Sequence, residues 1–97
     1  MELFIFARFH VQGGCEVEAS ALLLEQVTRV REETGCLTID IFASIRDPRL
    51  FYLHSRWIDE AAFERHAELQ NTLQFVARMQ RLIDHPFDVT RSFRLSQ

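Results

Sequence analysis

Trp57 and His66 are the two side chains of this 97-residue chain best suited to handle a small molecule. They lie in the stretch Ser55-Arg56-Trp57-Ile58-Asp59-Glu60-Ala61-Ala62-Phe63-Glu64-Arg65-His66-Ala67. An indole can stack against a planar ring. An imidazole can act as a general base, because its unperturbed pKa lies near neutral pH. Trp57 stands at the exit of an apolar run, and His66 follows about two turns into the next helix. It lies three residues beyond Phe63 and therefore on the same helix face. The layout suits a pocket with an aromatic wall at one end and a titratable group at the other. It suits equally a core tryptophan beside a half-buried histidine bonded to backbone, and the residues alone leave both readings open.

What the chain lacks narrows the chemistry. All eleven basic residues are arginines, so Schiff-base chemistry and a phosphate-loop lysine are excluded. Gly13-Gly14 is too short for a dinucleotide fingerprint and reads as a strand-to-helix turn. Cys15 and Cys36 flank glycine turns with no CxxC pattern and no local basic setting. Reduced thiols with structural or incidental roles are expected, in a cytoplasmic protein. His10 and His54 sit in strands beside Arg8 and Arg56, and His85 precedes Pro86 in a connector. His10, His54 and His66 have no ligand spacing, so no metal site is expected. The net charge is −3 with scattered acidic groups, which gives no footprint for nucleic acid. There is no basic N-terminal region leading into an apolar run, and no apolar stretch of membrane-span length. Neither a secretory signal nor a membrane partner is expected.

Six elements must position the two candidate residues within one domain, residues 1–97. Glu2 to His10 is rich in β-formers. Residues 15–33 have helical spacing, with Leu23, Val27 and Val30 on one stripe and Val17 and Leu24 flanking it. Thr34-Gly35 stops that helix, glycine suiting a left-handed C-terminal position. Leu37 to Ile45 alternates as a strand, Asp47-Pro48-Arg49 is a turn, and Leu50 to Ile58 is a third strand. Asp59 is a good N-cap for a helix reaching about Leu69. After a bend near Gln70-Asn71, a second stripe of Phe75, Met79 and Leu82 continues to Ile83. Phe87 to Leu95 is the last strand. The order βαββαβ predicts a ferredoxin-like α+β sandwich, an antiparallel sheet with both helices on one face and the first and third strands central. Those two strands are apolar on both faces, as Phe4, Phe6 and Tyr52 oppose Ile5, Ala7 and Leu53. Helices can cover one side only, so a homodimer joined sheet to sheet is expected.

With these elements in place, the chain resembles the antibiotic biosynthesis monooxygenase family of the dimeric α+β barrel superfamily. The matching pieces are Phe4-Ile5-Phe6-Ala7-Arg8-Phe9, Glu32-Glu33-Thr34-Gly35-Cys36-Leu37, Arg56-Trp57-Ile58-Asp59 and Ala61-Ala62-Phe63-Glu64-Arg65-His66. The resemblance implies a pocket in each subunit between sheet and helices, with Trp57 and His66 lining it. Phe63 and Phe75 are then candidate apolar walls and Asn71 a candidate polar contact. It implies a cofactor-independent monooxygenase oxidising a small phenolic or quinol-type aromatic, with His66 as general base and no cofactor. Haem-degrading members carry an asparagine on the first strand and a late-helix histidine. Ala7 stands at the first position and residues 72–83 contain no histidine, which argues against haem. Two alternatives use the same pocket: a non-catalytic dimeric small-molecule-binding module, and an isomerase of a small hydroxylated metabolite.

Overall fold

Strand β1 (Leu3–His10) buries Leu3, Ile5, Ala7 and Phe9 on one face and exposes Phe6 and Arg8 on the other. This is the two-residue period of a pleated strand with one covered side. β3 (Leu50–Trp57) does the same with Phe51, Leu53, Ser55 and Trp57. The computed structural model describes all 97 residues. It adds α1 (Glu16–Val30), β2 (Cys36–Ala43), α2 (Glu60–Glu68), α3 (Gln70–Gln80) and β4 (Asp88–Ser92). The sheet order is β2-β3-β1-β4, antiparallel throughout, so β1 and β3 are the central pair. The helices cover the inner face. One apolar core joins Ile5 and Phe9 of β1, Leu23 and Val27 of α1, Trp57 of β3, Ala62 of α2, and Phe75 and Met79 of α3. No helix is long and apolar enough to cross a membrane.

Three local expectations need correction. The predicted bend near Gln70-Asn71 is a break one residue earlier. Leu69 leaves helical space (φ −66, ψ 145), separating α2 from α3, while its N–H still caps the His66 carbonyl. The break lets α3 turn Thr72, Phe75 and Met79 inward, whereas α2 buries only Ala62. The last strand is shorter than residues 87–95: Phe87 precedes it, and past Ser92 the chain stops pairing, leaving Phe93 exposed. Finally, the stripe Leu23, Val27 and Val30 is buried as expected, but Val17 and Leu24 face solvent and the residues that flank it in the core are Ala19, Leu22 and Gln26. The core thus accepts a glutamine in the middle of an apolar stripe.

A cap and a turn fix the corner that carries His66. The Asp59 carboxylate accepts from the Ala62 N–H at 2.8 Å and starts α2. Gly35, with φ +91, does not cap α1, which ends at Val30 with Arg31 as its C-cap; it turns the chain into β2, and its carbonyl accepts from the Ile58 N–H at 2.9 Å.

The far end of β1 is held by a polar lock. His10 Nδ1 faces Asp84 Oδ1 at 2.7 Å, and its Nε2 faces Asp47 Oδ2 at 3.0 Å. This ties β1 to the β2–β3 turn and to the α3–β4 connector. Hydrogen bonds to Asp84 and then Asp47 raise the His10 pKa. The backbone N–H of Arg49, followed by His10, lowers that of Asp47; His10, followed by His85, lowers that of Asp84. A raised histidine contributes stability that is complete below about pH 6.5, its unfolded value, and is lost as pH rises through the folded value. The lowered aspartates contribute above the ordinary carboxylate range and lose that contribution as pH falls through their folded values. The lock is therefore strongest between those limits. His10→Gln is expected to lose thermal stability in that window and to converge on wild type at alkaline pH. Parallel melting curves across pH would refute the charged lock.

Candidate functional site

Between the inner face of the sheet and the helices lies a cavity of about 260 Å³. It falls just below the roughly 300–1,000 Å³ common for ligand sites, which suits a molecule of one or two rings. Most of its lining is apolar: Ile5, Ala7 and Leu53 from the central strands, with Phe63, Phe75 and Phe87 from α2, α3 and the connector before β4. Four polar side chains interrupt that lining, namely Gln26, Ser55, His66 and Thr72.

His66 is the titratable group of the cavity. It projects from the last turn of α2, and its Nδ1 lies 2.7 Å from Oε1 of Glu33, just beyond α1. Both side chains are nearly seven-eighths buried, at 12 % and 13 % exposure. A carboxylate can only accept, so Nδ1 donates to it, and in the neutral ring Nε2 presents its lone pair. The Thr72 hydroxyl, 3.4 Å from the same Nδ1, is a marginal second contact. Nε2 has no hydrogen-bond partner in the protein and is not sealed off. The imidazole packs on Trp57 (centroids 4.8 Å) and Phe63 (5.5 Å), which fix its plane. The second oxygen of Glu33 is buried without a partner. The arrangement is a carboxylate–imidazole pair with its free nitrogen available to a ligand, the geometry of a held general base.

The structure brings His66, Phe63 and Phe75 into one lining but leaves two predicted residues outside it. Trp57 is wholly buried behind the wall, its indole N–H donating to Ser55 Oγ at 3.0 Å. It forms the floor under His66 and is not a ligand-facing surface. Its register opposite Leu3 places it at the end of β3, where α2 closes over the sheet. Asn71 lies in the first turn of α3 and does not line the cavity, because the break at Leu69 presents Thr72 in its place. Sequence reasoning missed Glu33, Gln26, Ser55 and Thr72 as lining or supporting groups. Glu33 is 33 residues from His66, and no spacing rule joins them. Gln26 carried a usable signal, as a polar residue on the apolar stripe of α1.

The other histidines have separate surroundings. His54 lies on the outer face, its Nδ1 3.0 Å from the Ile5 carbonyl, so His10, His54 and His66 do not converge. His10, Asp84 and His85 are the one group whose ligand atoms lie close together, within 4.8 Å of one another. Both His10 nitrogens there already face carboxylates. Cys15 and Cys36 are unpaired. Burial, then the nearby Glu33 carboxylate, pushes the Cys36 thiol up, which makes it a poor nucleophile.

Comparison with known proteins gives one consistent picture. The family model described as antibiotic biosynthesis monooxygenase matches residues 3–78. YcnE of Bacillus subtilis (strain 168), provisionally named a monooxygenase, is 33 % identical over 66 residues, covering 68 % of this chain and 70 % of YcnE. Rv0793 from Mycobacterium tuberculosis superposes with a TM-score of 0.93 at 25 % identity, covering 100 % of this chain and 98 % of that one. SnoaB, a cofactor-independent oxygenase from Streptomyces nogalater, superposes with a TM-score of 0.88. It is 14 % identical, covers 99 % of this chain and 95 % of its own, and shares the fold alone at that identity.

Proposed function

The chain belongs to the antibiotic biosynthesis monooxygenase family, and from that premise we propose that it is a monooxygenase that oxidises a small phenolic or quinol-type aromatic without a cofactor. The observation that carries this reading is the Glu33–His66 pair with Nε2 open at an aromatic-lined cavity. Nε2 takes the phenolic proton of the bound substrate, and Glu33 steadies the imidazolium that forms. The resulting phenolate is electron-rich at its ortho and para carbons. It gives an electron to dioxygen, and the radical pair closes a carbon–oxygen bond to give a ring-bound peroxide anion, which takes the proton held by His66 and becomes a hydroperoxide. The freed imidazole then removes the hydrogen on that carbon as the O–O bond breaks; the departing hydroxide takes that proton as water, and a ring carbonyl remains. One oxygen atom ends in the product, the other in water, and the ring carbon is oxidised. The apolar lining excludes bulk water and holds the ring flat. That a cofactor-independent oxygenase shares the fold supports this reading. The test is oxygen uptake with a panel of hydroquinones and polyphenols, run beside an anaerobic arm. Turnover that persists without oxygen would replace the oxygenase by an isomerase, and no turnover of any substrate would leave a binding module.

The proposal extends to assembly. On the outer face of the sheet Phe6 (54 % exposed), Phe42 and Tyr52 form an aromatic patch. The ring of His54 stacks on Phe6 at 4.6 Å within it. Helices cover only the opposite face, so a second copy related by a two-fold axis is the fitting cover. Light scattering at micromolar concentration is expected to give twice the 11.4 kDa chain mass, and Phe6→Asp to give the single mass. A wild-type particle of 11.4 kDa would sink the dimer.

A further inference from the structure

Gln26 is 4 % exposed, lies in the middle of the buried stripe of α1, and lines the cavity beside His66. Its carboxamide makes no hydrogen bond within the protein, yet its polar atoms are not among those sealed from solvent. A buried amide without a partner is costly, and such groups in folded proteins nearly always have one. The partner must therefore come from whatever occupies the cavity. Ser55 adds a second group of the same kind. Its oxygen accepts the Trp57 N–H, which leaves its own O–H to give, and it is 1 % exposed on the cavity wall.

This polar spot and the base are held by different elements. Gln26 lies in the last turns of α1, whereas Glu33, which holds His66, lies in the turn beyond the helix end at Val30. The cavity thus has two separate polar groups, the α2 imidazole and the α1 carboxamide, set in an apolar lining.

Resting on the proposed reading of this pocket, we infer that Gln26 is a specificity-determining residue that binds a second oxygen of the substrate, other than the hydroxyl that His66 deprotonates. The substrate class this selects is a dioxygenated aromatic over a monophenol. The amide N–H₂ donates to that second oxygen, whether hydroxyl or developing carbonyl, and the amide oxygen can accept from it when it is a hydroxyl. The Ser55 O–H, on the sheet side of the cavity, is a further free donor.

The test separates binding from turnover. Naphthalene-1,4-diol and 1-naphthol are titrated anaerobically by calorimetry into wild type and Gln26→Leu, and oxygen uptake is then measured with both. Wild type is expected to bind the diol about tenfold more tightly than the naphthol, the worth of one buried hydrogen bond. Gln26→Leu should lose that preference while binding naphthol at least as well. The free variant should melt no lower than wild type, because an unpartnered amide has been replaced by an apolar group of similar size. A wild type that binds neither ligand, or binds both alike, overturns the inference. A preference that survives in Gln26→Leu overturns it too, and so does a clear fall in melting temperature, which would assign the amide a structural bond. Should the leucine variant fail to fold, Gln26→Met is measured by the same criteria. Discrimination in binding without oxygen uptake keeps Gln26 and removes the oxygenase. Oxygen uptake without discrimination does the reverse.

Discussion

His66→Ala is expected to lower kcat/KM for oxygen uptake by about 100- to 10,000-fold, the range for loss of a positioned general base. The variant also leaves Glu33 buried without its partner, which costs about 1–3 kcal/mol of stability. Activity must therefore be measured where the variant is still folded. Added imidazole is expected to restore part of the rate, since the cavity vacated by the side chain can admit it. A purely structural histidine would show no such rescue. Glu33→Gln keeps an acceptor for Nδ1–H but removes the charge that steadies the imidazolium. Its loss should be smaller and fall mainly on kcat, which marks Glu33 as a positioning residue. In the double variant the effects should not add, because the two groups act as one unit. Equal rates in wild type and His66→Ala would remove the imidazole from the chemistry.

Gly35→Ala is expected to be the most damaging small substitution in the chain. A Cβ at this position would lie 2.6 Å from Cβ of Ala62, a contact that real side chains do not make. The atom in the way is fixed to the α2 backbone and cannot swing aside. Gly35 also holds φ +91, where an L-residue pays about 1–2 kcal/mol. Overpacking adds about 1–3 kcal/mol. The sum of about 2–5 kcal/mol should lower the melting temperature by upwards of about 10 °C in a domain of this size. Gly14→Ala is the matched control. Gly14 has φ +95 with nothing within 4 Å of an added Cβ, so it pays for conformation alone. Equal losses at the two glycines would show that α2 yields to the contact. The position bears on function as well. Ala62 and His66 are one turn apart on α2, and Glu33 is two residues before Gly35. Pushing α2 off the glycine should stretch the 2.7 Å Glu33–His66 bond and lower activity even in protein that remains folded.

These two variants separate what was legible in the chain from what was not. The strand alternation of Leu3, Ile5, Ala7 and Phe9, the Asp59 cap and the left-handed Gly35 are properties of neighbouring residues, and each could be read directly. So could the central place of β1 and β3, because only those strands are apolar on both faces. His66 was legible as a candidate for the same reason, being a titratable group on the face of Phe63. The helix break at Leu69 precedes the bend expected near Gln70-Asn71 because no glycine or proline marks it; Leu69 adopts its extended backbone as α3 turns Phe75 and Met79 into the core.

By itself the sequence determined the elements, their order, the sheet's two unequal faces and one imidazole set among aromatic residues. Periodicity and capping act over a few residues, so they survive in a linear reading. Only the tertiary structure decided what surrounds that imidazole. It brought Glu33 to Nδ1 across 33 residues, moved Trp57 behind the wall, exchanged Asn71 for Thr72, and left the Gln26 carboxamide partnerless at the cavity. Those outcomes depend on how α1, α2 and α3 pack over one sheet. Packing is set by the shape of distant surfaces meeting, and no spacing along the chain records it.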